Sequence, residues 1–249
     1  MAEVISFEPG GYRYIKAVFQ YSSGAAAEPG FAVERACLRK PLPLAEGFAA
    51  VEAHLRRLGR PTTAFCACEL RSPAPFTEQG FYDFNRHYVQ TLERWGLYRD
   101  GDNPVARTNV CPQHEPPAVP SLYAFSYTVP AARGLEDGFV IAGSGETQPG
   151  NTPQERIVAH GDISPPGMAT KMRHVMGEME RRLAALGFGW RDTTATQAYT
   201  VQDMGALIES IIVRRGAAPC GLTWHFARPP IQDLEFEMDV RAPAREIVL

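Results

Sequence analysis

Three kinds of short stretch carry residues able to do chemistry: PVARTNV (Pro104–Val110), LEFEMDV (Leu234–Val240), and the Ser-Gly pairs Ser23-Gly24 and Ser144-Gly145. In PVARTNV, strand alternation puts Ala106, Thr108 and Val110 on one face and Arg107 on the other. A guanidinium is a planar fork of donors that matches a carboxylate through two parallel hydrogen bonds, so Arg107 is a candidate carboxylate clamp. In LEFEMDV, Leu234, Phe236, Met238 and Val240 alternate with Glu235, Glu237 and Asp239. The acids form either a solvated strand face or one wall of a site, and alternation alone admits both. Each Ser-Gly pair is either an ordinary strand-end turn or a hydroxyl beside backbone that a ligand can approach closely, since glycine has no Cβ.

Other chemistries find less support. The six histidines, His54, His87, His114, His160, His174 and His225, include no pair at the i, i+4 spacing of a helical zinc site. Five cysteines, an odd number without a CxxC pair, argue against a disulfide framework and a zinc ribbon. Cys66 and Cys68 alternate in TAFCACEL and are expected on one strand face as packing residues. No metal and no cofactor is expected.

Elements must position these residues. The chain has 249 residues, 45% hydrophobic and 21% charged, with a formal net charge of −3. That suits a core-forming domain or two and gives no bulk attraction to nucleic acid or an anionic membrane. No apolar run approaches the roughly 20 residues of a membrane span, and MAEVISFEPGG lacks the basic and apolar regions of a secretion signal, which predicts a cytoplasmic address.

The first half reads as a strand over KAVFQYSSG, a helix from Glu46 to Leu58, a strand over TTAFCACEL, a helix over EQGFYDFNRHYVQTLERWG, and strands VARTNV and SLYAFSYTV. After a boundary at PAARGLEDG, the second half reads as strand FVIAGSG, a short strand near RIVAH, a helix from Met168 to Leu186 and strand WRDTTATQAYT. A helix DMGALIESIIV begun by Asp203 and strands GLTWHFA and DLEFEMDV complete it. The order repeats, with Leu58-Gly59 answering Leu186-Gly187, so the chain reads as a duplication, residues 1–130 and 138–249, of one α+β unit. Each unit is a mixed sheet with two helices packed on one face.

The order strand-SG, helix-LG, strand, helix with asparagine, then P-x-A-R-[ST]-x-V resembles the RidA/YjgF superfamily of enamine and imine deaminases. SSG, FNRHY and PVARTNV carry the resemblance in the first half; AGSG, ERRLAALG, AYTVQDM, RPP and LEFEMDV carry it in the second. It implies a chorismate-mutase-like fold and a homo-oligomer, trimer or hexamer. In the family the arginine of the P-A-R strand holds the substrate carboxylate, the position of Arg107. Ser23, Gly24, Ser144 and Gly145 match the strand-end pairs and Asn85 the helix asparagine. Asn109 stands where the family often has cysteine.

A glutamate on the family's last strand manages protons and water. Here only the second half has it, as Glu235 or Glu237; Ser126 stands there in the first half, while Gly221 replaces the arginine in the second. The resemblance therefore implies a composite site in which one half gives Arg107 and the other gives the acid. The long loop CPQHEPPAVPS brings His114 and Glu115 as possible substrate contacts. Within the superfamily, the tandem length with CACELRSPAPF, FNRHY and NPVAR looks like the double-length 2-aminomuconate or 2-amino-5-chloromuconate deaminases. A small dicarboxylate would then be the substrate, with Arg71, Arg215, Arg228 or a serine as candidates for its far end. The alternatives are a general 2-iminoacid deaminase, a chorismatase-like hydrolase, and a non-catalytic binding protein.

Overall fold

The computed structural model describes residues 2–132 and 137–249, so residues 133–136 of the PAARGLEDG boundary lie outside the described residues. The strands are β1 (Val4–Phe7), β2 (Tyr12–Ile15), β3 (Gly24–Ala27), β4 (Phe31–Pro43), β5 (Phe65–Arg71), β6 (Ala106–Pro112), β7 (Ser121–Pro130), β8 (Phe139–Gly145), β9 (Ala195–Tyr199), β10 (Thr223–His225), β11 (Ala227–Arg228), β12 (Glu237–Ala242) and β13 (Arg245–Val248). The helices are α1 (Leu44–Arg57), α2 (Glu78–Arg94), the single turn α3 (Pro153–Arg156), α4 (Pro165–Leu186) and the short α5 (Gly205–Leu207).

The strands form two mixed sheets, ordered β1-β2-β3-β8-β12-β9-β10 and β11-β6-β5-β7-β4-β13. They pack face to face, so the architecture is α+β in four layers. Small residues, Ala25, Ala27, Ala67, Ala106 and Ala142, fill much of the space between the sheets. On the outer face of the first sheet, the stripe Met168, Met172, Val175, Met179 and Leu183 of α4 covers Ile141, Phe236, Met238 and Val240. On the outer face of the second, Val51 and Leu55 of α1 and Tyr88 and Leu92 of α2 cover Phe65, Leu70 and Phe125. No helix among the described residues is long and apolar enough to cross a membrane.

Local chemistry starts and stops the helices. Thr77 Oγ1 accepts from Gly80 N at 3.1 Å at the start of α2, and Ser164 Oγ accepts from Gly167 N at 3.3 Å at the start of α4. Gly187 ends α4 in the left-handed region at φ 88°, where a Cβ would be strained.

Several sequence expectations are corrected. KAVFQ is a turn closed by a Val18–Tyr21 bridge, and the strands on either side are β2 and β3. Instead of a strand near RIVAH there is the turn α3, begun by a capping box between Thr152 and Glu155. DMGALIESIIV is a distorted helix: Asp203 Oδ1 accepts from Gly205 N at 2.8 Å, then α5 widens into a π turn over Ile208–Ile212. A register shift between Phe65 and Ala67 turns Cys66 and Cys68 to opposite faces, one between the sheets and the other under the helices. The sheets also exchange segments. The first contains Val4–Ala27 beside strands of the second half, and the second receives β11 and β13 from the C-terminal part.

Candidate active site

Arg107 lies on β6, paired in parallel register with Cys68 of β5. Its side chain is 3% exposed and caged by aromatic rings, with the guanidinium carbon 4.7 Å from the Tyr88 ring centre, 5.1 Å from Tyr21 and 5.6 Å from Phe81. Ring faces stabilise a cation without consuming its hydrogen bonds. Both terminal nitrogens, Nη1 and Nη2, are buried with no partner. A buried guanidinium with free donors is a strong demand for an anion.

Arg107 shares a cavity of about 110 Å³ with Glu237, the first residue of β12. Glu237 pairs with Gly145 of β8 on one side and Tyr199 of β9 on the other, which fixes its height in the sheet. The segment before it is pinned by Glu146, whose carboxylate accepts from Glu235 N at 2.7 Å and Phe236 N at 3.1 Å. Lys171, fully buried on α4, holds Glu146 at 3.2 Å. Burial pushes the Glu237 carboxyl well above the ordinary carboxylate range; Asp239 and Glu146 add repulsion, while Arg182 and Arg107 draw it partly back. The alternation in LEFEMDV is thus a buried wall: Glu237, Asp239 and Arg241 face between the sheets.

The cavity wall opposite α2 comes from β8 and α4. Gly143 N donates to Thr108 Oγ1 at 3.1 Å, tying β8 of one sheet to β6 of the other. Arg182 donates from Nη1 to Ala142 O at 3.0 Å and from Nη2 to Ser144 Oγ at 3.1 Å, and so orients that hydroxyl at the cavity edge. Burial lowers the Arg182 pKa.

Of the candidates from sequence, Arg107, Asn109, Ser144, Gly145 and Glu237 line this one cavity. Asn109 Oδ1 accepts from Ser72 Oγ at 2.9 Å, leaving its buried Nδ2 without a partner. Glu235 lies elsewhere, its carboxylate accepting from Gln202 at 2.9 Å with Arg228 at 3.6 Å. Ser23 and Gly24 also lie outside the cavity: Ser23 N donates to Ile15 O, and Gly24 packs under Ile141 and Leu186. Asn85 is buried behind the aromatic cage and donates to Phe81 O at 2.6 Å. His114 stacks on Phe226, and Glu115 lines a separate cleft. Arg71 stacks 4.3 Å from the Tyr123 ring and Arg215 pairs with Glu180 at 2.5 Å, so neither reaches the cavity.

The sequence reading missed Gly143, Thr108, Arg182, Tyr21 and Phe81. Arg182 left a signal: it occupies the helical step between Met179 and Leu186 on a largely apolar stripe, as Lys171 does between Met168 and Val175. Among the described residues no group of three or more His, Cys, Asp or Glu is arranged to hold a metal. What the cavity can do is bind an anion at Arg107 beside a carboxyl able to hold a proton.

A family model described as 2-aminomuconate deaminase CnbZ matches residues 4–247. A 2-amino-5-chloromuconate deaminase from Comamonas testosteroni is 56% identical over 251 residues, covering 100% of each chain. Among solved structures, a chorismatase aligns over 92% of this chain and 79% of its own at 13% identity and a TM-score of 0.48. A Rid-family protein of unknown function, YyfB from Yersinia pestis, aligns over 43% of this chain and 77% of its own at 17% identity and a TM-score of 0.33.

Proposed function

The chain belongs to the 2-aminomuconate deaminase CnbZ family, and from that premise we propose that it hydrolytically deaminates 2-aminomuconate or a chlorinated analogue at the Arg107–Glu237 cavity. The observation that carries the reading is the pair of unpartnered Arg107 donors in the cavity that also holds a proton-retaining Glu237.

Arg107 takes the carboxylate next to the amino-bearing carbon, filling both free donors and giving the buried charge its partner. Glu237 gives its proton to the enamine carbon, converting the enamine to an iminium. The resulting carboxylate takes a proton from water as its oxygen bonds to the iminium carbon. The carbinolamine then loses ammonia, leaving a 2-oxo dicarboxylate; one water is consumed and Glu237 regains its proton. Fixing the substrate beside one acid/base group supplies much of the required acceleration, and such a group typically contributes about 10²–10⁴-fold.

Within this reading the acid is Glu237 rather than Glu235, and the two halves of one chain supply the site together. A homo-oligomer, trimer or hexamer, belongs to the same proposal, supported by the resemblance to the RidA/YjgF superfamily, and so does a cytoplasmic address. The test is ammonia release and ultraviolet absorbance change on enzymatically generated 2-aminomuconate, for wild type, Arg107→Ala and Glu237→Gln. Rapid turnover lost in both variants supports the reading. No turnover above the spontaneous rate in folded wild-type protein overturns it.

A further inference from the structure

The inner cavity, about 110 Å³, is smaller than the roughly 150 Å³ that a benzene ring fills in an engineered protein cavity. A six-carbon dienamine with a carboxylate at each end therefore extends beyond it. The way out is a cleft of about 550 Å³ that shares Tyr21, Phe81, Thr147, Ile231 and Leu234 with the inner cavity. A substrate held by one end at Arg107 places its far end in this outer cleft.

Among the described residues that line the outer cleft, Arg156 is the single cation. It is the last residue of α3, and its Nη2 donates to Glu78 at the first turn of α2 while its Nε is buried with no partner. Glu78 and Asp233 are the acids among the described residues lining the cleft; Glu78 pairs with Arg156, and Asp233 Oδ2 lies 3.5 Å from His160 Nε2. Thr77 and Glu78 also bring the positive end of the α2 dipole to the cleft. Arg182, the other guanidinium near the path, is committed to Ala142 O and Ser144 Oγ and lies 3.7 Å from Glu178 through its Nε.

Resting on the deaminase reading above, we infer that Arg156 binds the far carboxylate and makes the enzyme select dicarboxylates over monocarboxylates. Glu78 holds the guanidinium across the mouth of the cleft, and the incoming carboxylate shares or takes over that pairing. The two arginines, one buried and caged, one at the mouth, act as a ruler for the length of the substrate.

The unreactive pair trans,trans-muconate and sorbate tests this directly, because they share a six-carbon diene and differ by one carboxylate. Calorimetric titration of wild type should show a preference for muconate of about tenfold or more, the size of one charge-assisted hydrogen-bonded contact. Arg156→Gln should bring the preference near unity while leaving sorbate affinity unchanged, and should raise KM for 2-aminomuconate far more than it lowers kcat. Glu78→Gln, which frees Arg156, should strengthen muconate and not sorbate. A preference that survives Arg156→Gln overturns the inference. Failure of the underlying reading looks different: Arg107→Ala would then leave both affinities unchanged.

Discussion

Gly143 and Glu237 occupy one space: a Cβ on Gly143 would overlap Glu237 Oε1 and approach Thr108 Cγ2 to 3.1 Å. The absent side chain of β8 is the room in which the carboxyl of β12 sits. Gly143→Ala should therefore fold, since Gly143 is not among the positive-φ glycines, but displace the Glu237 carboxyl. Because a displacement near 1 Å costs about 10²-fold, kcat/KM for 2-aminomuconate should fall by that order. Steady-state ammonia release alongside far-ultraviolet circular dichroism checks it; full activity would show that Glu237 is not held by this contact.

Arg107 is expected to trade stability for activity. Desolvating an unpaired guanidinium costs several kcal/mol, and its aromatic cage returns about 2 kcal/mol or more. Arg107→Met should thus abolish turnover while keeping or raising Tm, by about 2–4 °C for each kcal/mol recovered. Arg107→Lys should not restore activity, because an ammonium cannot make the paired contact. Thermal scans of the three proteins test this, and a Tm lowered by many degrees in Arg107→Met would contradict it.

How much of this was readable in the residues follows from which forces are local. The stripes of α1, α2 and α4 repeat at helical spacing, and β5 to β8 are bounded by turn residues, so propensity and packing agree there. The strand β4 was hidden because Glu34, Arg35, Arg39 and Lys40 break its apolar alternation; Arg35 is buried only because Glu69, 34 residues away, accepts from it at 2.6 Å. The pairing of β13 with β4 joins residues about 200 apart, which no local pattern records. Period-two alternation placed Glu235 and Glu237 on one face, but the strand begins only at Glu237. Before it the chain turns through Asp233 at φ 68° under the hold of Glu146, so one acid enters the cavity and the other meets Gln202.

The raised pKa of Glu237 has a definite sign in stability. Above about 4.5 the unfolded chain has lost this proton while the folded chain keeps it. The folded state then binds more protons, so its stability falls as pH rises from that point to the raised folded pKa, then levels. Glu237→Gln removes this slope. Urea denaturation between pH 4 and the alkaline limb should show wild type losing stability relative to Glu237→Gln as pH rises. The kcat/KM profile should fall on its alkaline side as Glu237 loses the proton it must donate. A difference in stability that is flat with pH would mean that Glu237 is ionised in the folded protein.

Between the sheets, away from the cavity, Glu69 gathers Arg35 at 2.6 Å and Arg241, and Arg241 in turn holds Asp239 at 3.2 Å. Burial alone would raise the Glu69 carboxyl, but Arg241 and Arg35 together hold it well below the ordinary carboxylate range. Its contribution is therefore fully present above the unfolded value near 4.5 and is lost progressively as pH falls from there to the lowered folded pKa. Removing the acid takes from two buried guanidinium groups their shared partner, leaving Arg35 to Glu246 at 3.4 Å and Arg241 to Asp239, so Glu69→Gln should destabilise the fold by about 3–5 kcal/mol at neutral pH. The paired change Glu69→Met with Arg241→Met should cost less than the sum of the two single changes, because each single leaves a charge uncompensated. A double-mutant cycle by urea denaturation measures the coupling, and additive single effects would show that these charges are independent.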